Sequence, residues 1–276
     1  MRWYLTTAAD SVGWRRCFGS AVDCVIFMTS VSTQTLGAPV SAPPRGLPPL
    51  ESGDHLGAFE FLRRYEAMPE VQKAELINGI VFMASPVRTD RHAEPDNLVQ
   101  TWLGTYAIAT PGVRAAANGT IRLGPDDVPQ PDAFLRILPE CGGQAKLDSK
   151  GYLIGAPELV VEVAASSASL DVREKLSSYR RAGVRQYIVW RTEDLAVDCW
   201  MLVNDEYQPV TPEADQMLRS GLFPGLWLDV RGLLAGDGSR VMDTLRRGLA
   251  SQEHASFASA LHQREAASES GSTGGH

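Results

Sequence analysis

The chain has little with which to staple or anchor itself. Its four cysteines, Cys17, Cys24, Cys141 and Cys199, form no C-x-x-C pair and stand at no zinc-ligand spacing from a histidine. That pattern excludes a zinc ribbon and a disulfide framework, and points to reduced thiols in a cytoplasmic protein. No segment has the long uncharged apolar run of a membrane span. Positive charge is also short, with 26 Lys and Arg against 33 Asp and Glu and a net charge of -7. Coating of nucleic acid through bulk charge is thereby excluded, whereas a local basic groove is not. What the chain does have is 276 residues, 44% of them hydrophobic, enough for one or two domains with a sizeable core.

The two ends differ from the middle. Residues 1–53 run into "SVSTQTLGAPVSAPPRGLPPLESGD", a Pro, Gly, Ser and Thr composition that predicts a disordered leader and linker. Within it, Arg15-Arg16 ahead of an apolar stretch has the outline of a twin-arginine signal, which Asp23 interrupts; Met28 is an alternative start. Residues 236–276 read as a short extension followed by a solvated tail, since "SQEHASFASALHQREAASESGSTGGH" has no sustained apolar period. One domain is left, residues 54–235.

Inside it, Phe59, Leu62 and Tyr65 stand at helical spacing before Pro69, and "KAELI-NG-IVFMAS" predicts a hairpin turning on Asn78-Gly79. A helix is expected over about 94–109, with Leu98, Trp102 and Tyr106 on one face. Strands follow at "VRAAANGTIRL", "DAFLRIL", "ELVVEVA", "QYIVW" and "AVDCWML". The helix "SLDVREKLSSYRRAG" lies between two of them, with Ser169 as N-cap and Gly183 as C-cap. The order is mixed α/β with a strand, helix, strand unit at its centre.

The chemistry-bearing positions sit around that unit. Glu162 interrupts the β-branched run Leu159, Val160, Val161 and Val163, which reads as a strand buried on both faces. A carboxylate there needs a partner, and two are open: a buried ion pair or a metal ion. Asp132, directly after Pro131, is either a turn residue or a second carboxylate at a strand entry. Asp171 and Lys175 are four apart on the central helix; they form an exposed pair, or Lys175 folds back over the end of the Glu162 strand. His92 is a proton carrier or a surface cap. The tryptophans stack on bases or fill the core, and Arg173, Arg180, Arg181 and Arg185 contact phosphate or water.

The segments "AELINGIVFMASP", "QPD", "APELVVEVAASS", "DVREK", Tyr179 and "GVRQYIVW", in this order over residues 54–235, resemble the Uma-two family, a branch of the PD-(D/E)XK nuclease superfamily. The resemblance implies a restriction-endonuclease-like core, α/β with an α+β character, in which helices flank a central mixed sheet. It implies a metal-dependent DNA endonuclease using Mg²⁺ or Mn²⁺, with Asp132 and Glu162 as metal ligands, Lys175 beside the attacking water and Glu75 assisting the metal. Lys175 takes the lysine role because Ala164 occupies the usual position two residues after the Glu. His92, Asp171, Ser167 and Tyr179 are the auxiliary candidates. Ser167 alone fits the family's serines after the Glu, Gln186 stands where a Glu is common, and Arg191 where an Asp is common. The alternative is a non-catalytic nucleic-acid-binding or interaction module that keeps the fold. DNA is the partner implied, no membrane is, and monomer and homodimer both stay open.

Overall fold

The computed structural model describes residues 46–84, 88–165 and 170–272, together with the backbone of two short strands near the start. By itself, the unit Met1–Ser41 contains β1 (Leu5–Ala8) paired antiparallel with β2 (Ser11–Trp14). Residues 15–45 of the leader, with Cys17, Cys24 and the twin-arginine stretch, lie outside the described residues, as do Ser167 and the expected cap Ser169.

In the second unit, Ala42–His276, α1 (Ala58–Tyr65) leads to the hairpin of β3 (Ala74–Ile77) and β4 (Ile80–Met83). Asn78 and Gly79 both have positive φ, at 52° and 75°. This is the primed turn whose twist matches its strands, as the Asn-Gly pair predicts. The face of α1 differs from expectation. Ala58, Phe61 and Leu62 are buried against the hairpin, while Phe59 points outward at 81% exposure. The end of the expected disordered linker is instead packed: Leu50 is buried at 4% exposure with α1 and the hairpin, and the Gly53 N–H donates to the Val81 carbonyl.

A π-helical turn, Thr89–Ala93, runs into α2 (Glu94–Ala109), followed by β5 (Val113–Ala116), β6 (Ile121–Arg122) and β7 (Ala133–Ile137). The expected strand "VRAAANGTIRL" is therefore two, broken where Asn118 takes a left-handed φ of 52°. After β8 (Lys146–Leu147) and β9 (Leu153–Ile154), β10 (Leu159–Ala164) carries Glu162. A second π-helical turn, Leu170–Lys175, opens α3 (Leu176–Ala182), which Gly183 closes at φ 86°. Then come β11 (Gln186–Arg191), β12 (Ala196–Val203), β13 (Glu206–Pro209), β14 (Met217–Arg219) and β15 (Trp227–Asp229). The chain continues through α4 (Val230–Leu234), α5 (Gly238–Leu249) and α6 (Gln252–Ser272).

The central sheet has six strands in the order β13-β12-β11-β10-β7-β5. Only β10 and β11 are parallel, joined through α3; the other neighbours are antiparallel, so the sheet is mixed as expected. Every residue of β10 is buried. Its period of two sends Leu159, Val161 and Val163 to the face covered by α2 and α5, and Val160 and Ala164 to the face covered by α3. By the same alternation Glu162 belongs to the α3 face.

The carboxy-terminal region corrects the sequence reading. Residues 252–272 form a helix, not a solvated tail, and Leu261 at 0% exposure joins Val241 and Leu245 of α5 in the core on the α2 face. The helix is rich in Ala and Ser, so its few contact residues show no apolar stripe in the sequence. Gly248 lets α5 seat closely, since a Cβ there would lie 2.2 Å from the Gly225 carbonyl oxygen. Leu261→Ala should destabilise the protein by about 2–4 kcal/mol in urea denaturation, through lost burial and the cavity left behind. A change near zero would show that α6 does not hold the core.

Candidate active site

The site forms where one ladder ends. The β7–β10 pairing stops at Ala133 with Val161, while β10 continues against β11 as far as Ala164. Pro129 and Pro131, without N–H groups, cannot carry the ladder onward. Side chains replace it. The Asp132 carboxylate accepts the Val163 N–H through Oδ2 at 2.9 Å, and the Asp132 N–H points at Glu162 Oε2 at 3.4 Å. One step beyond the last pair of that register, Asp132 falls opposite Glu162, and residues so placed share a face.

Both carboxylates are deeply buried, at 3% and 2% exposure, and ammonium groups compensate them. Lys175 Nζ lies 3.0 Å from Glu162 Oε1 and 3.0 Å from Glu75 Oε2. The π-helical turn ends at Lys175, and the lysine folds back over the Glu162 strand, where it is buried. Wider turns of this kind recur at functional sites. Tyr179, one turn on, donates its hydroxyl to Glu162 Oε1 at 2.8 Å. Glu75 arrives on β3, which Leu76 ties to Val128 by backbone hydrogen bonds, and it accepts the Gln130 N–H at 2.7 Å. Asp132, Glu162, Lys175, Glu75 and Tyr179 thus come together. Asp171 lies in the π-helical turn, and its side chain is outside the described ones.

His92 and Lys73 complete the surroundings of Asp132. His92 Nε2 lies 3.4 Å from Asp132 Oδ2, and this contact raises the imidazole above its ordinary value of 6.5 against the opposing effect of burial. Lys73, which sequence reasoning missed, places Nζ 2.9 Å from Asp132 Oδ1 and 3.3 Å from the Asn118 amide oxygen. Burial alone lowers the Lys73 ammonium, but Asp132, Glu162 and Glu75 together hold it above its usual value. For Asp132 burial pushes the carboxyl up. His92, Lys73 and Lys175 more than reverse this and leave it well below the usual aspartate range. The only signal for Lys73 in the sequence was its place at the head of the hairpin.

Other candidates are spent elsewhere. Arg180 pairs with the exposed Glu206, and Arg181, itself half-exposed, with Asp127 and Asn78. Trp102 and Trp190 are buried, as core packing requires. Gln186 receives the Ser220 hydroxyl at 2.6 Å, and Arg191 pairs with Asp198, so both departures from the family pattern have local structural partners.

The donor chemistry suits a hard cation. Mg²⁺ prefers oxygen ligands, commonly one or two carboxylates with water and substrate phosphate filling the rest. Asp132 and Glu162 fit that pattern. Among the described residues there is no group of three or more His, Cys, Asp and Glu that could hold a metal ion, and the Glu75 carboxylate faces Lys175 and the Gln130 N–H.

The family model described as "Putative restriction endonuclease", Uma2, matches residues 59–231, more than half of the chain. The chain belongs to this family. No curated protein matches it. Among solved structures, the crystal structure of "a putative nuclease belonging to DUF820 from Anabaena variabilis ATCC 29413" is similar, with 16% identity and a TM-score of 0.48. The match covers 63% of this chain and 97% of that one. Among the described residues no helix of this Uma2 protein is long and apolar enough to cross a membrane.

Proposed function

We propose that this Uma2 protein is a metal-dependent DNA endonuclease. The observation that carries the reading is the convergence of Asp132 and Glu162, from adjacent strands, with Lys175 bridging Glu162 to Glu75. Asp132 and Glu162 would hold Mg²⁺ or Mn²⁺, with Glu75 assisting through Lys175. When bound, the metal would acidify a water and offset negative charge on the phosphate.

The chain's own groups supply the rest. The Val163 N–H and the Tyr179 hydroxyl fix the carboxylate oxygens before substrate arrives, so orientation is set by the fold. Lys175, 3.0 Å from both Glu75 and Glu162 in a water-poor position, would lower the cost of negative charge developing on the attacking and leaving oxygens. His92, half-buried beside Asp132, is placed to take or give a proton at Nε2.

Incubated with supercoiled plasmid DNA, the protein should nick or linearise it with Mg²⁺ or Mn²⁺ and leave it intact with EDTA. A second reading has one observation in its favour: the site carboxylates already contact the ammonium groups of Lys73 and Lys175. On that reading the protein binds DNA or a partner without cutting. Intact plasmid under every metal condition, with folded protein, would favour it.

A further inference from the structure

Two lysines reach the site, and they are held differently. Lys175 is clamped between Glu75 and Glu162, with its side chain 3% exposed. Lys73 enters from the residue before β3, is 27% exposed, and has the Asn118 amide at 3.3 Å on its other side. The two oxygens of Asp132 also differ. Oδ2 accepts the Val163 N–H and faces His92, whereas Oδ1 faces Lys73. Oδ1 can therefore change partner without disturbing the backbone contact that fixes the carboxylate.

Charge gives the direction of that change. The Lys73 ammonium lies 2.9 Å from Asp132 Oδ1, so a divalent ion on that oxygen would set like charge directly against it. Lys175 is held by two carboxylates and His92 faces the other oxygen, Oδ2. Lys73 is the cation that would be repelled, and its flexible four-carbon stem already borders solvent.

We infer that Lys73 is a placeholder cation, which leaves Asp132 Oδ1 when a divalent metal binds and turns its ammonium to a DNA phosphate at the mouth of the site. The inference rests on the endonuclease reading and adds to it a competitor for the metal and a contact for the substrate.

Calorimetric titration with MnCl₂ in the absence of DNA separates the two. Lys73→Gln should bind Mn²⁺ on the order of tenfold more tightly than wild type, because a competing positive charge has been removed. In the plasmid assay the same variant should show KM for DNA raised on the order of tenfold, with kcat changed far less, as loss of a phosphate contact requires. If Lys73→Gln does not fold, Lys73→Met carries the same expectations and keeps the apolar stem. Unchanged or weaker Mn²⁺ binding by the folded variant, beside a wild type that binds and cuts, would overturn the inference alone. Tighter Mn²⁺ binding with unchanged KM would overturn the phosphate contact. A wild type that neither binds Mn²⁺ nor cuts would overturn the endonuclease reading and this inference with it.

Discussion

Lys175→Met should destabilise the metal-free protein by about 3–5 kcal/mol, the range for removing one partner from a buried charge pair. Methionine fills much of the lysine's volume, so packing is largely kept and the loss reports charge. Without the ammonium, Glu162 and Glu75 face each other in a site where both are buried. The Tyr179 hydroxyl remains on Glu162 but brings no net charge. Urea denaturation in EDTA measures the loss. Adding Mn²⁺ should recover part of it, because a cation that binds only the folded state stabilises it by mass action. Cleavage should fall at least about 10²-fold. A variant as stable as wild type in EDTA would show that the lysine does not compensate those carboxylates.

Asp132→Asn should abolish detectable cleavage, with a loss of about 10³-fold or more if the carboxylate holds the metal. Its effect on stability depends on pH, and the sign follows from the two shifts at this position. Asp132 is depressed in the folded protein, so its contribution is present above the ordinary value of 3.8 and is lost as pH falls through the lower folded value. His92 is raised, so its contribution is full below 6.5 and is lost as pH rises through the folded value. The wild type should therefore exceed Asp132→Asn in melting temperature most clearly between about pH 4 and 6.5. The gap should narrow on either side, and on the alkaline side Lys73 sustains what remains. Asparagine can still accept the Val163 N–H, which keeps the backbone contact out of the comparison. A gap that widened steadily from pH 6 to 9 would contradict this assignment.

Much of the site was legible because it breaks local rules. Glu162 stands in a β-branched run where no carboxylate belongs without a partner, and Asp132 follows a proline that ends a ladder. The Asn-Gly turn and the Gly183 cap were legible for the opposite reason, since their backbone conformations favour those residues. Lys73 broke no rule. A lysine before a hairpin is ordinary until the fold brings Asp132, 59 positions away, against it. Phe59 followed the helical period but lies on the outer side of α1, because the hairpin covers Phe61 and Leu62. The role of α6 was hidden by composition. A helix that meets the core through a few residues leaves no stripe among its alanines and serines.

That last helix bears on where the protein ends as a physical object. The family match stops at residue 231, yet Trp102, Tyr106 and Phe223 share their core with Val241, Leu245 and Leu261 beyond it. A chain cut at the family boundary would present those aromatic faces to water as one adhesive surface, of the kind that drives self-association. The unit that completes this core is thus longer than the region the family model matches. The helices after the match serve as a cover for the sheet face turned away from Asp132 and Glu162, with Val241, Leu245, Gly248 and Leu261 as the positions that keep it closed.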